Sequence, residues 1–97
     1  MSTLIDFSIF PLDRGKNVSP YVAKTVSIIK DSGLDYLLGP MGTSIEGNWD
    51  EVMAVINRCF EELEKDCERI YIAIKADYNK DLGGRIKGKI RSVEEKL

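Results

Sequence analysis

The chain has no histidine, so no acid–base or nucleophilic chemistry that depends on an imidazole is available to it. Its two cysteines, Cys59 and Cys67, have neither an activating base beside them nor a CxxC spacing, which leaves a redox centre or a zinc site without its ligands. What remains are carboxylates and hydroxyls, and these fall on alternate positions of two short segments. Asp6 and Ser8 interleave with Ile5, Phe7 and Ile9; Ser44 and Glu46 flank Ile45. Alternate side chains of an extended strand share a face. If Ile45 faces a core, Ser44 and Glu46 therefore point the same way as Asp6 and Ser8, with Thr43 at the turn end of the same strand. A set of acceptors without a nucleophile or a tunable base is suited to binding, and the chain is expected to be no enzyme, with no metal and no cofactor.

The elements that must position these residues follow from periodicity. Thr3 to Pro11 alternates as a strand with one apolar face, and Leu12 to Val18 has the polar, Gly-containing composition of a loop. Ser19 and Pro20 read as an N-cap and a first-turn proline, followed by a helical stripe of Val22, Ala23, Val26 and Ile29 that stops at Gly33. This predicts a helix over 20–32. Two short strands follow around the turn Gly39-Pro40-Met41-Gly42. Asn48 with Glu51 resembles a capping box, and Val52, Val55, Ile56, Cys59, Phe60 and Leu63 give a second helix over 49–65. Arg69 to Asp77 alternates again, with Ile70, Ile72, Ile74 and Ala76 on one face. Ile86, Ile90, Val93 and Leu97 keep helical spacing to the end.

Strand, helix, strand, strand, helix, strand predicts an α+β, ferredoxin-like βαββαβ sandwich: one domain over 1–97, a four-stranded antiparallel sheet with two helices on one face, and a short C-terminal helix. The isoleucine faces of the first and fourth strands are expected against the helices. The opposite face, with Leu4, Phe10, Tyr71 and Ala73 beside Asp6, Ser8 and Lys75, is too apolar to be left bare to water. A 97-residue chain also buries a limited core. Both point to self-association, as a dimer or a dimer of dimers (a homotetramer).

Fourteen basic and sixteen acidic residues give a net charge of -2 and a pI near 5.1, which disfavours nucleic acid as a partner. The basic stretch Arg85, Lys87, Lys89, Arg91 reads as the solvated side of the last helix. No leader or membrane-length apolar run is evident, so the expectation is a cytoplasmic protein with no membrane partner.

The segments Ser8-Ile9-Phe10-Pro11-Leu12, Ser19-Pro20-Tyr21-Val22-Ala23, Gly39-Pro40-Met41-Gly42-Thr43-Ser44-Ile45-Glu46-Gly47 and Ser92-Val93-Glu94-Glu95-Lys96-Leu97 together resemble the thiamine-binding, YkoF-like family. The resemblance covers essentially the whole chain, and Met41-Gly42-Thr43 with Ile45-Glu46-Gly47 is its most specific part. It implies a βαββαβ protomer that associates through its sheet and a small-molecule ligand, thiamine or its hydroxymethylpyrimidine moiety. After Lys75 this chain departs from the pattern, with Ala76 and Tyr78-Asn79-Lys80 where relatives carry an isoleucine and then an arginine.

Thiamine joins a cationic thiazolium to an aminopyrimidine, so its site calls for a carboxylate, hydroxyl or amide groups and an aromatic or thioether wall. On that basis the ligand-binding candidates are Glu46, Thr43, Ser44, Ser8 and Asp6, with Glu46 foremost. Each also has an ordinary structural use. Glu46 precedes a helix N-terminus, Asp6 can pair with Lys75, Ser8 and Thr43 can satisfy local backbone, and Tyr21 and Trp49 can pack on neighbours instead of walling a pocket. The alternative to a binder is an oligomer of the same fold with no small-molecule ligand. RNA-recognition modules share the topology but need aromatics on the central strands, where this chain has Asp6 and Ser8.

Overall fold

The computed structural model describes residues 2–97. In chain order the elements are β1 (Ser2–Pro11), α1 (Ser19–Asp31), β2 (Asp35–Leu38), β3 (Thr43–Gly47), α2 (Trp49–Glu64), β4 (Ile70–Asn79) and α3 (Arg85–Glu94). The strands form one antiparallel sheet in the order β2-β3-β1-β4, the arrangement expected of a ferredoxin-like sandwich.

Register decides which face each residue occupies. Ile5 pairs with Ile45 and with Ala76, and Phe7 with Thr43 and Ile74, so these lie on the face under α1 and α2. Their neighbours Leu4, Asp6, Ser44, Glu46 and Lys75 lie on the other. The apolar stripes of α1 and α2 close over the first face, and Ile5, Phe7, Ile9, Ile29, Ile45, Val52, Val55, Cys59 and Leu63 form the core. Each such side chain contributes roughly 1.5–3 kcal/mol by leaving water. Cys59 belongs to this core: burial pushes its thiol up to about 11, so it stays protonated and packs as a small apolar group.

Two expected caps are not formed. Val18 already lies at φ -96 and ψ -2, so α1 starts a residue early, Ser19 falls inside the first turn, and its N–H donates to Asn17 Oδ1 at 3.2 Å. Asn48 is extended but makes no side-chain cap, and the start of α2 instead carries Asp50 and Glu51, charges that the helix dipole favours.

Two further expectations need correction. The isoleucine face of β4 does point to the helix side, but α1 and α2 sit chiefly over β1 and β3, which leaves Ile72 39% and Ile74 44% exposed. On α3, Lys87, Lys89 and Arg91 are solvated as expected, whereas Arg85 is buried. That helix packs against β3 and β2, and its first residue lies among open-face residues.

Candidate functional site

The β2–β3 turn borders a hollow. Gly39 N–H donates to the Gly42 carbonyl at 2.8 Å, closing the turn. A Cβ on Gly39 would stand 2.9 Å from that same carbonyl oxygen, and one on Gly42 would meet Asp6 Oδ1 at 2.9 Å and the Phe7 carbonyl at 3.2 Å. Only glycine fits at these two close approaches. The β1–β3 ladder ends at the Phe7–Thr43 pair, yet β1 runs on to Pro11. Beyond Phe7 the side of β1 that had faced β3 thus borders a notch between the turn and α1.

That notch is a cavity of about 200 Å³. Its walls are mostly apolar, with Val22, Val26 and Leu38 prominent; Ser8, Thr25 and Thr43 are the hydroxyl-bearing residues that line it, the Thr25 hydroxyl donating to the Val22 carbonyl, and no charged residue lines it. Helical spacing had marked Val22 and Val26 as core; their second use, facing a hollow, depends on where the ladder stops.

The five candidate residues do not converge. Ser8 and Thr43 line the cavity. Asp6 and Ser44 pair with each other on the open face, where Asp6 also lies 3.9 Å from the Lys75 ammonium, and Asp6 touches the cavity wall only by abutting Gly42. Tyr21 and Trp49 do not line the cavity.

Glu46 is buried on the open face, and its carboxylate is engaged. Oε1 and Oε2 accept the Arg85 N–H at 2.8 and 3.0 Å, and Oε1 accepts the Ile86 N–H at 3.3 Å. It therefore occupies the N-terminus of α3, a different helix from the one that follows it in sequence. Arg85 in turn donates through Nε to Ser2 Oγ at 2.9 Å and through Nη2 to the Ser2 carbonyl at 3.0 Å and to the Asp77 carbonyl. Its Nη1 lies 3.0 Å from Asp77 Oδ2, which Lys89 also holds at 2.6 Å. Burial pushes the Glu46 carboxyl up, but the Arg85 N–H, Ser2 hydroxyl, Ile86 N–H and the Arg85 charge together hold it below its ordinary value. Lys89 and then Arg85 lower Asp77 likewise. Arg85 escaped the sequence reading because it sits in a run of alternating bases. A hint lay in Gly84, which at φ 64 turns the chain into the helix.

Comparison with known proteins bears on this arrangement. A family model described as thiamine-binding protein matches residues 5–94. The chain belongs to the thiamine-binding protein family. A UPF0045 protein of Mycobacterium tuberculosis is 36% identical over 98 residues, covering 100% of this chain and 96% of that protein. One from Methanocaldococcus jannaschii is 31% identical over 90 residues, covering 93% and 90%. A hypothetical protein from the same archaeon superposes with TM-score 0.89 at 30% identity over 97% of both chains. A Thermotoga maritima structure at 18% identity and TM-score 0.80, covering 94% of this chain and 99% of the other, shares the fold. Among the described residues no group of three His, Cys, Asp or Glu side chains is placed to hold a metal ion, and no helix is long and apolar enough to cross a membrane.

Proposed function

We propose that this chain is a non-enzymatic cytoplasmic binding protein that takes the aminopyrimidine ring of thiamine, or free hydroxymethylpyrimidine, into the notch between α1 and the β2–β3 turn. The observation that carries the reading is the uncharged cavity with Ser8 and Thr43 on its wall, in a chain of the thiamine-binding family. Volume supports one ring and not two: about 200 Å³ lies below the roughly 300 Å³ lower end of drug-sized sites. Charge supports the same ring, because a neutral pyrimidine enters an apolar hollow at far lower cost than a thiazolium cation. The hydroxyl of Thr43 and the backbone of β1 beyond Phe7 offer the donors and acceptors that an aminopyrimidine edge requires. In thiamine the thiazolium then stays at the mouth, with the Asp6 carboxylate on the far side of Gly42. Glu46 and Ser44, the other open-face candidates, fall outside this site.

Self-association as a dimer of dimers accompanies this reading. Phe10 and Tyr71 stack on the open face at 5.1 Å, Tyr71 half exposed, and Leu37, on the same face at the opposite edge strand β2, is 46% exposed. A copy of the chain docking there removes this surface from water.

The test is thermal shift and calorimetry with hydroxymethylpyrimidine, thiamine and thiamine diphosphate. The expected result is a concentration-dependent rise in Tm with the first two. No rise with any of the three leaves the ligand-free oligomer as the function, a reading favoured by the commitment of Glu46 to α3.

A further inference from the structure

A residue in an antiparallel strand turns its N–H and its C=O to the same side, and the next residue turns both to the opposite side. In β1 this phase is fixed at either end of the stretch that borders the notch. The Leu12 N–H donates to the Arg69 carbonyl at 2.8 Å, which continues the β1–β4 register by one pair and sets the backbone groups of Phe10 and Ser8 toward β4. Phe7 has the other phase: it pairs with Thr43, and a Cβ on Gly42 would stand 3.2 Å from its carbonyl oxygen. Ile9 shares the phase of Phe7. Its N–H and C=O therefore point away from β4, past the point where β3 begins, on the side of the notch that Ile9 lines.

Ile9 is 4% exposed, and buried backbone groups are nearly always paired. Here the register leaves Ile9 no partner on β3, and among the described residues no turn or side chain bonds either group. The one hydroxyl on the α1 wall, that of Thr25, is committed to the Val22 carbonyl at 2.8 Å. Pro11, next in the same phase, has no N–H. Beyond Phe7, Ile9 is thus the one residue of β1 that offers the notch a donor and an acceptor side by side.

We propose that the Ile9 main chain reads the ligand: its N–H donates to a ring nitrogen, and its C=O accepts from the exocyclic amine next to that nitrogen, as the backbone of an opposed strand would. This rests on the notch being the pyrimidine site and adds what the site selects, a flat ring with an amine adjoining an unprotonated ring nitrogen. One carbon separates those two groups, so both meet a single extended residue at once. The apolar walls from Val22 and Val26 exclude water and strengthen both bonds. Losing the amine leaves the Ile9 carbonyl unpaired in an apolar hollow, a larger penalty than the loss of one solvent-exposed bond.

Two measurements on the whole chain test this. Hydrogen exchange read by NMR compares the Ile9 amide with those of Ser8 and Phe10, which the ladder to β4 holds. Without ligand, Ile9 is expected to exchange faster than both neighbours. With saturating hydroxymethylpyrimidine it should slow by roughly tenfold or more while theirs stay unchanged. By calorimetry, the same ring without its amine should bind about tenfold to a hundredfold more weakly. An Ile9 amide as protected as Ser8 and Phe10 without ligand, or an amine-free ring that binds as well as the aminopyrimidine, overturns the inference. If hydroxymethylpyrimidine binds, is excluded by Val26→Phe, and leaves Ile9 exchange unchanged, the notch remains the site and this inference alone falls. If hydroxymethylpyrimidine does not bind, both fall.

Discussion

Glu46 and Arg85 lie 39 residues apart and meet twice over: the Glu46 carboxylate accepts the Arg85 backbone N–H at 2.8 and 3.0 Å, and the Arg85 Nε stands 4.0 Å from Oε2. One carboxylate thus caps α3 and faces the guanidinium that ties the same helix to Ser2 and Asp77. A ten-residue helix is too short to persist alone, and Arg85 is its one buried residue. The attachment of α3 depends on this cluster.

Glu46→Gln keeps the shape and deletes the charge. Hydrogen bonds to a charged group are worth about 1.5–3 kcal/mol, so the variant should lose stability of that order. For a domain of this size that is a fall in Tm of roughly 6–20 °C. Hydrogen exchange should show the amides of α3 losing protection before those of β1. A Tm within a degree of wild type would mean that α3 is held by other contacts.

Acid should reproduce part of this effect. The Glu46 carboxyl is held below its ordinary 4.5 in the folded chain, so its contribution is present above about 4.5 and is lost as pH falls through the lower folded value. Asp77, lowered from 3.8, acts in the same direction. The stability gap between wild type and Glu46→Gln should therefore be constant near neutrality and narrow below pH 4.5. A gap that widens in acid would contradict the assignment.

How far the sequence reveals this molecule depends on the range of the interaction. Period two in Ile5, Phe7 and Ile9, and the helical stripe from Val52 to Leu63, are local patterns, and they give the elements and their buried faces. Parity along β3 also places Thr43 with Ile45 and Ser44 with Glu46. The Glu46–Arg85 pairing is invisible to such patterns, since nothing near Glu46 says which distant N–H groups it will meet. The cavity is hidden for a related reason: its existence depends on β3 beginning only at Thr43, while β1 continues past Phe7, the partner of Thr43. The exposure of Ile72 and Ile74 follows from where two helices sit, and alternation alone cannot distinguish a covered isoleucine face from an uncovered one.

Thr3 offers a stabilising change. Its side chain is fully buried on the helix side, and among the described residues its hydroxyl has no hydrogen-bond partner. An orphaned buried hydroxyl costs about 1–3 kcal/mol. Thr3→Val keeps the branched shape that suits a strand and removes the group that lacks a partner. Tm should rise by several degrees in a thermal melt; a fall would show that the hydroxyl is satisfied by bound water.

The notch itself is tested by two substitutions of opposite kind. Val26→Phe, on the α1 wall, fills the cavity with a ring and should abolish the thermal shift given by hydroxymethylpyrimidine while the chain still folds. Thr43→Val preserves the wall and removes one hydroxyl. An ordinary hydrogen bond contributes about 1 kcal/mol, so Kd should rise roughly fivefold by calorimetry. Glu46→Gln is the control, because its carboxylate belongs to α3 and lies outside the cavity lining. It should alter stability and leave Kd for the pyrimidine within about twofold. The reverse outcome, with Glu46→Gln abolishing binding and Thr43→Val and Val26→Phe binding as wild type, would move the ligand out of the notch and onto the open face beside α3.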